Sequence, residues 1–181
     1  GIIGMGNVGS EVARRARGLE MRLIGYDPFI SPEHAQNLHM ELVSLEQLLA
    51  ESDFITLHTP LSSATRGLIG AKEIALLKPT ARIINTARGG LIDEAALVKA
   101  LKEKRIAGAA FDVFSTEPLT KSILFEEANI IVTPHLGAST AEAQATVARD
   151  VAEQVLAVLK GQPARYAVNA PFISLETLSM L

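Results

Sequence analysis

Gly1-Ile2-Ile3-Gly4-Met5-Gly6-Asn7-Val8-Gly9 reads as a short apolar strand that runs into a glycine-rich turn and then a helix. In this GxGxxG spacing each glycine has its own use. Gly4 permits a tight turn, Gly6 lets the backbone approach an anion with no Cβ in the way, and Gly9 lets the helix pack closely on the strand. The helix N-terminus then offers free N–H groups, which suits a pyrophosphate. Glycine-rich turns also arise for purely steric reasons, so the stretch gains meaning only from the residues after it.

Those residues are consistent with a nucleotide site. Ser10 to Leu19 carries Val12, Ala13 and Ala16 at helical spacing, and Met21-Arg22-Leu23-Ile24-Gly25-Tyr26 reads as a second strand. Asp27 closes it, near the offset of about 20 residues at which a carboxylate can accept hydrogen bonds from a ribose diol. As a residue before Pro28, Asp27 could also be a simple turn former. Neither Arg nor Lys occurs in Pro28-Phe29-Ile30-Ser31, so a 2′-phosphate would meet a negative charge without a neighbouring cation. NAD is therefore expected in preference to NADP.

With 181 residues, 48% of them hydrophobic and 20% charged, the chain suits one sizeable packed domain. A formal net charge of −3 with no basic run gives nucleic acid or an acidic membrane surface little to attract. The chain has no cysteine, which excludes disulfides, a thiolate nucleophile and cysteine-ligated metal, and agrees with a cytoplasmic setting. No metal set is read from the histidines: His34 and His39 are isolated and read as surface or loop residues. No apolar run approaches membrane-spanning length.

Along the chain, strand and helix alternate. A short helix and a strand-like piece are expected around Leu38 and Leu42. Ser44-Leu45-Glu46-Gln47 reads as a capping box opening a helix to Glu51, and Phe54 to His58 is the next strand, ended by Thr59-Pro60. Leu68 to Leu77 reads as helical, Ala81 to Asn85 as a strand running into Thr86-Ala87-Arg88-Gly89-Gly90, and Asp93 as the cap of a helix with Ala96, Leu97, Ala100 and Leu101 on its apolar face. Further strands are read at Ile106 to Phe111 and Ile130 to Thr133. A last helix, Ser139 to Lys160, is expected to open on a capping box from Ser139 to Glu142 and to bury Ala143, Val147, Val151, Val155 and Val158 or Leu159. This alternation predicts an α/β fold with a doubly wound parallel sheet of Rossmann type. In such sheets ligands sit at the carboxyl ends of the strands. The polar residues expected there are Asp27, His58-Thr59, Thr86 with Arg88, Asp112 and His135.

Asn85-Thr86-Ala87-Arg88-Gly89-Gly90, Asp112-Val113-Phe114-Ser115-Thr116-Glu117-Pro118 and Thr133-Pro134-His135-Leu136-Gly137-Ala138-Ser139-Thr140 closely resemble the D-2-hydroxyacid dehydrogenase family, in order behind GxGxxG and over nearly the whole chain. Gly25-Tyr26-Asp27-Pro28, His58-Thr59-Pro60-Leu61 and the His-Leu-Gly-Ala-Ser-Thr form resemble its phosphoglycerate dehydrogenase branch most. The resemblance implies Arg88 as the cation on the substrate carboxylate and carbonyl, Glu117 as the orienting acid and His135 as the acid/base. It implies NAD held by Gly4, Gly6, Asn7, Val8 and Gly9, by Asp27 and Thr59, by Thr86, Ala87 and Arg88, by Asp112 as acceptor for the carboxamide, and by His135 and Gly137. The chemistry of each catalytic side chain agrees. A planar guanidinium grips a hydroxy-carboxylate in a fork, an imidazole can take the hydroxyl proton, and a carboxylate on its other nitrogen fixes the tautomer.

The same resemblance implies a small 2-hydroxy acid as partner, and a homodimer or homotetramer. Residues 1–163 are expected to form the NAD-binding domain with its first strand truncated, and 164–181 the start of a crossover returning to an otherwise absent substrate domain. Groups for a substrate phosphate would lie mainly in that domain, so binding of NAD by this chain alone is expected to outlast its turnover of substrate. Two other functions stay open: a glyoxylate or hydroxypyruvate reductase, and an NAD-sensing interaction protein similar to the family's corepressor relatives.

Overall fold

The apolar runs form seven short strands, all parallel, with helices between them. The computed structural model describes residues 1–118 and 120–164, which fall in two compact units, the second beginning at Leu136. The crossover expected from residue 164 falls, apart from Ala164, outside the described residues.

In the first unit the elements run β1 (Ile2–Ile3), α1 (Asn7–Gly18), β2 (Ile24–Tyr26), α2 (Pro32–Asn37), β3 (Glu41–Leu42), α3 (Leu45–Glu51), β4 (Phe54–Leu57), α4 (Ala71–Ile74), β5 (Arg82–Asn85), α5 (Glu94–Lys102), β6 (Gly108–Phe111), a 3₁₀ turn (Ile123–Glu126) and β7 (Ile130–Val132). The sheet order is β3-β2-β1-β4-β5-β6-β7. Ile2 is in register with Gly25 on one side and Thr56 on the other, so the chain departs from β1 first one way and then the other. The crevice that such a reversal opens lies beyond the carboxyl ends of β1 and β4.

Ile55, Leu57, Ile83, Leu91 and Leu97 are fully buried in the larger core cluster, and Ile2, Met5, Ala13, Leu38 and Met40 make a smaller one with α1. Helix α5 shows how sequence sets an element here. The Asp93 side chain accepts from the Ala96 N–H at 3.0 Å, Lys99 and Lys102 sit where the helix dipole favours cations, and Leu97, Ala100 and Leu101 are buried. Val98 is buried as well, so the apolar face is wider than the four-residue stripe read from sequence.

Four expectations need correction. Only Ala71–Ile74 of the Leu68–Leu77 segment is helical. Ile69 instead pairs with Ile92 as a parallel bridge, which satisfies a buried backbone that a longer helix would also have claimed. Ser44 caps α3 through the Gln47 N–H, but the Gln47 amide donates to Glu51 rather than completing a capping box. In the second unit, α6 (Ala141–Leu159) is capped by Thr140, whose hydroxyl accepts from the Ala143 N–H at 3.1 Å. That spacing puts an alanine at the third helical position, so the box from Ser139 to Glu142 does not form. Finally, α6 has no buried residue: Val147, Val151, Val155, Val158 and Leu159 remain exposed. Periodicity located the stripe correctly but carries no information on what covers it.

Leu97→Ala tests the packing argument. Loss of a fully buried leucine is expected to destabilise the chain by about 2–5 kcal/mol, read as the fall in urea midpoint at unchanged slope.

Candidate active site

The glycine stretch turns where predicted, and its steric logic can be read position by position. Gly4 has φ +89°, a conformation few other residues adopt. A Cβ there would meet the His58 carbonyl at 2.8 Å, so β1 and the end of β4 approach too closely for any side chain. A Cβ on Gly9 would overlap the Gly4 carbonyl oxygen. A Cβ on Gly6, by contrast, would meet no neighbouring element within 4 Å. Gly6 is also the N-cap of α1 and provides no side-chain cap, so the first-turn N–H groups open onto free space beside an exposed Asn7 and Val8. This is the arrangement an anion can occupy.

Asp27 lies at the carboxyl end of β2 with both oxygens engaged. The Met5 N–H donates to Oδ2 at 2.8 Å, which ties the acid to the glycine turn, and the Phe29 N–H donates to Oδ1 at 2.9 Å. The turn-forming reading of Asp27 is therefore correct, and the same carboxylate lies against the glycine loop. Ser10, buried in α1, donates to the Met5 carbonyl and lies 3.2 Å from His34 Nε2. His58 packs at the strand end: Thr56 Oγ1 is 2.9 Å from its Nε2, and burial pushes its pKa below the ordinary value.

At the end of β5 the organising residue is Asn85, to which sequence reading gave no role. Its buried amide donates to the Arg88 carbonyl at 2.9 Å and accepts from the Ala87 N–H at 3.1 Å. The Thr86-Ala87-Arg88 loop is thus folded around one side chain. Gly89 packs against the Phe114 backbone so tightly that a Cβ would overlap it, which binds this loop to the one carrying Glu117. Arg88 is exposed, and its Nη1 donates to the Ala87 carbonyl at 2.6 Å. It forms no ion pair among the described residues. An asparagine at a strand end before a glycine pair was the available signal for this loop.

Glu117 and His135 meet. The carboxylate Oε2 lies 2.6 Å from His135 Nδ1, and Oε1 accepts from the Phe114 N–H at 2.9 Å. First the hydrogen bond with His135, then that from Phe114, hold the Glu117 carboxyl below the ordinary carboxylate range. An ionised carboxylate can only accept, so Nδ1 carries a proton and neutral His135 presents Nε2 as a base. His135 has φ +57°, in the left-handed region where histidine is among the more tolerant non-glycine residues. A cleft of about 510 Å³ adjoins the pair, walled by Phe114, Phe125, Val132 and Pro134. At the end of β6, buried Asp112 accepts from the Thr133 hydroxyl at 2.5 Å. Thr59 and Thr86 lie at the ends of β4 and β5 as expected, and Gly137 falls in the second unit.

The family model described as D-isomer specific 2-hydroxyacid dehydrogenase, NAD binding domain, matches residues 1–137. The chain belongs to this family. D-3-phosphoglycerate dehydrogenase of Synechocystis sp. is 54% identical over 181 residues, which is 100% of this chain and 33% of that protein. D-lactate dehydrogenase with NAD+ from Lactobacillus jensenii superimposes with a TM-score of 0.85 at 31% identity, covering 93% of this chain and 55% of the other. A glyoxylate reductase from Paecilomyes thermophila gives 0.81 at 39% identity, over 89% and 49%. This 2-hydroxyacid dehydrogenase domain thus spans about a third of the length of the curated relatives it matches. Among the described residues no helix is long and apolar enough to cross a membrane.

Two outcomes are expected from this geometry. Gly9→Ala lowers the melting temperature because two backbones must separate, whereas Gly6→Ala folds normally and weakens NADH by about tenfold or more (~1.4 kcal/mol) in calorimetric titration. Because the folded-state pKa of Glu117 lies below its unfolded value, the stability it contributes is fully present above the ordinary glutamate value of about 4.3. That stability is lost as pH falls through the lowered value. The difference in melting temperature between wild type and Glu117→Gln is therefore expected to narrow on acidification.

Proposed function

We propose that this chain is the cofactor-binding and catalytic domain of an NAD-dependent D-3-phosphoglycerate dehydrogenase. The reaction is oxidation of D-3-phosphoglycerate to 3-phosphohydroxypyruvate, the entry to phosphorylated serine synthesis. The observation that carries the proposal is the 2.6 Å contact between Glu117 and His135, in a chain 54% identical along its full length to the Synechocystis enzyme of that name.

The residues fit the cofactor. The open space at Gly6 and the uncapped start of α1 suit its pyrophosphate, and Asp27 at the glycine loop suits the adenosine ribose. Thr59, the Thr86–Arg88 loop and Asp112 are assigned to the nicotinamide half, with Asn7, Val8 and Gly137 around the phosphates and His135. When bound, NAD supplies the two-electron acceptor that takes a hydride from C2. The protein's own residues then have three tasks. Arg88 holds the substrate carboxylate and polarises the C2 oxygen, as a forked donor can. His135 accepts the C2 hydroxyl proton at Nε2. Glu117 keeps Nδ1 protonated and offsets the charge of the imidazolium that forms.

The likeness to a glyoxylate reductase supports a second reading, reduction of glyoxylate or hydroxypyruvate. Assembly as a homodimer or homotetramer, and a cytoplasmic location, belong to the same proposal. The family resemblance supports the former and the lack of cysteine the latter.

The test begins with titration of the chain with NADH and NADPH, beside Asp27→Ala. Tight NADH and weak NADPH binding, lost in the variant, is expected. In the complete enzyme carrying this domain, turnover of D-3-phosphoglycerate in preference to glyoxylate or hydroxypyruvate is expected. His135→Gln should lower kcat by about 10²–10⁴-fold with NADH affinity retained. Turnover of glyoxylate or hydroxypyruvate alone would favour the second reading, and no binding of either cofactor to a folded chain would remove both.

A further inference from the structure

Two features of the site meet on one residue that neither the motif reading nor the proposed mechanism uses. Thr133 comes directly after β7, where its N–H donates to the Phe111 carbonyl at 2.9 Å and continues the pairing of β7 with β6. Its hydroxyl donates to Asp112 Oδ1 at 2.5 Å. Its carbonyl accepts from the His135 N–H at 3.0 Å. That last bond closes a three-residue turn about Pro134, whose ring fixes φ near the value the common form of such a turn requires. The turn delivers His135 in its left-handed conformation.

We propose that Thr133 is a positioning residue for the nicotinamide end of the cofactor, setting the rotation of the Asp112 carboxylate through its hydroxyl while its backbone carries the turn to His135. The inference rests on the NAD reading of the site. The rotation of a carboxylate about its terminal torsion is soft and roughly two-fold, so burial alone leaves the direction of its lone pairs open. A short hydrogen bond to one of its oxygens closes that freedom. A β-branched residue is the right donor, because its χ1 is stiff and the hydroxyl direction is held by the backbone. The Asp112 N–H is in turn held by the Asn85 carbonyl at 3.0 Å, so the carboxylate is fixed from the β5 side through the backbone and from the β7 side through the hydroxyl.

The two outputs of Thr133 are separable, since valine keeps the shape and the backbone turn but lacks the hydroxyl. The experiment is calorimetric titration of wild type, Thr133→Val and Thr133→Ser with NADH and with ADP-ribose, which has every part of the cofactor except the nicotinamide. Wild type is expected to prefer NADH. Thr133→Val loses about tenfold in NADH affinity and nothing for ADP-ribose, and Thr133→Ser, which retains a hydroxyl, keeps the preference. If Thr133→Val melts below the assay temperature, Thr133→Ala serves the same comparison. A merely structural role would weaken both ligands alike. That result, or no change for either, overturns the inference. Wild type that binds both ligands equally overturns it too, while leaving the dinucleotide reading intact. Binding of neither ligand to a folded chain overturns both.

Discussion

At the glycine turn the main chain approaches itself too closely to admit a side chain. Gly9 of α1 lies on the Gly4 carbonyl, and Gly4 lies on the His58 carbonyl at the end of β4. No side chain fits at either contact. This constraint sets α1 directly on β1 and brings β4 alongside at the reversal of the sheet. It also leaves the α1 N-terminus facing the space beyond the strands. Hydrophobic burial stabilises the sheet, but it would tolerate many arrangements of a helix across these strands. The glycine contacts select the one that leaves the uncapped start of α1 open at Gly6.

Beyond that contact, several side chains of the crevice bond to main chain. Asp27 fixes the glycine turn through the Met5 N–H, and Asn85 fixes the Arg88 loop through two backbone groups. Glu117 is anchored on the Phe114 N–H before it reaches His135. Polar side chains at strand ends have two tasks of this kind, closing their own loops and facing the ligand. A buried backbone group left without a partner is costly, so shaping the loop and satisfying the backbone are the same requirement.

Most of this was legible in the sequence, and unevenly so. Strand and helix alternation gave the parallel sheet its elements, and GxGxxG gave the tight turn from β1 into α1, because both depend on local spacing. The pairing of Glu117 with His135 came from motif resemblance; 18 residues and a strand separate them, and no periodicity links them. Asn85 and Thr133 were passed over because each reads as an ordinary polar residue at a strand end. Asn85 bonds within its own loop, whereas Thr133 acts on Asp112, which only the β6-β7 adjacency brings near. The helix α4 was overestimated for the converse reason, since Ile69 has helical neighbours in sequence but a strand partner, Ile92, in space. The valine stripe of α6 shows the limit of amphipathic reasoning, which finds an apolar face without naming what lies against it.

The charges at the site obey a consistent logic. Glu117 is answered twice, by a backbone N–H and by an imidazole, so its negative charge is committed to orienting His135 and its ionised state is favoured. Arg88 donates only to a carbonyl of its own loop, and no carboxylate answers it among the described residues. A guanidinium is weakly hydrated and always charged, so a carboxylate arriving from outside finds a fork with little to displace. Had the acid been held less firmly by Phe114 and His135, it would be a competing anion in the same crevice. In the proposed function, securing Glu117 is as much a condition for binding a hydroxy-carboxylate as placing Arg88, and the loop contact at Gly89 joins the two segments that carry them.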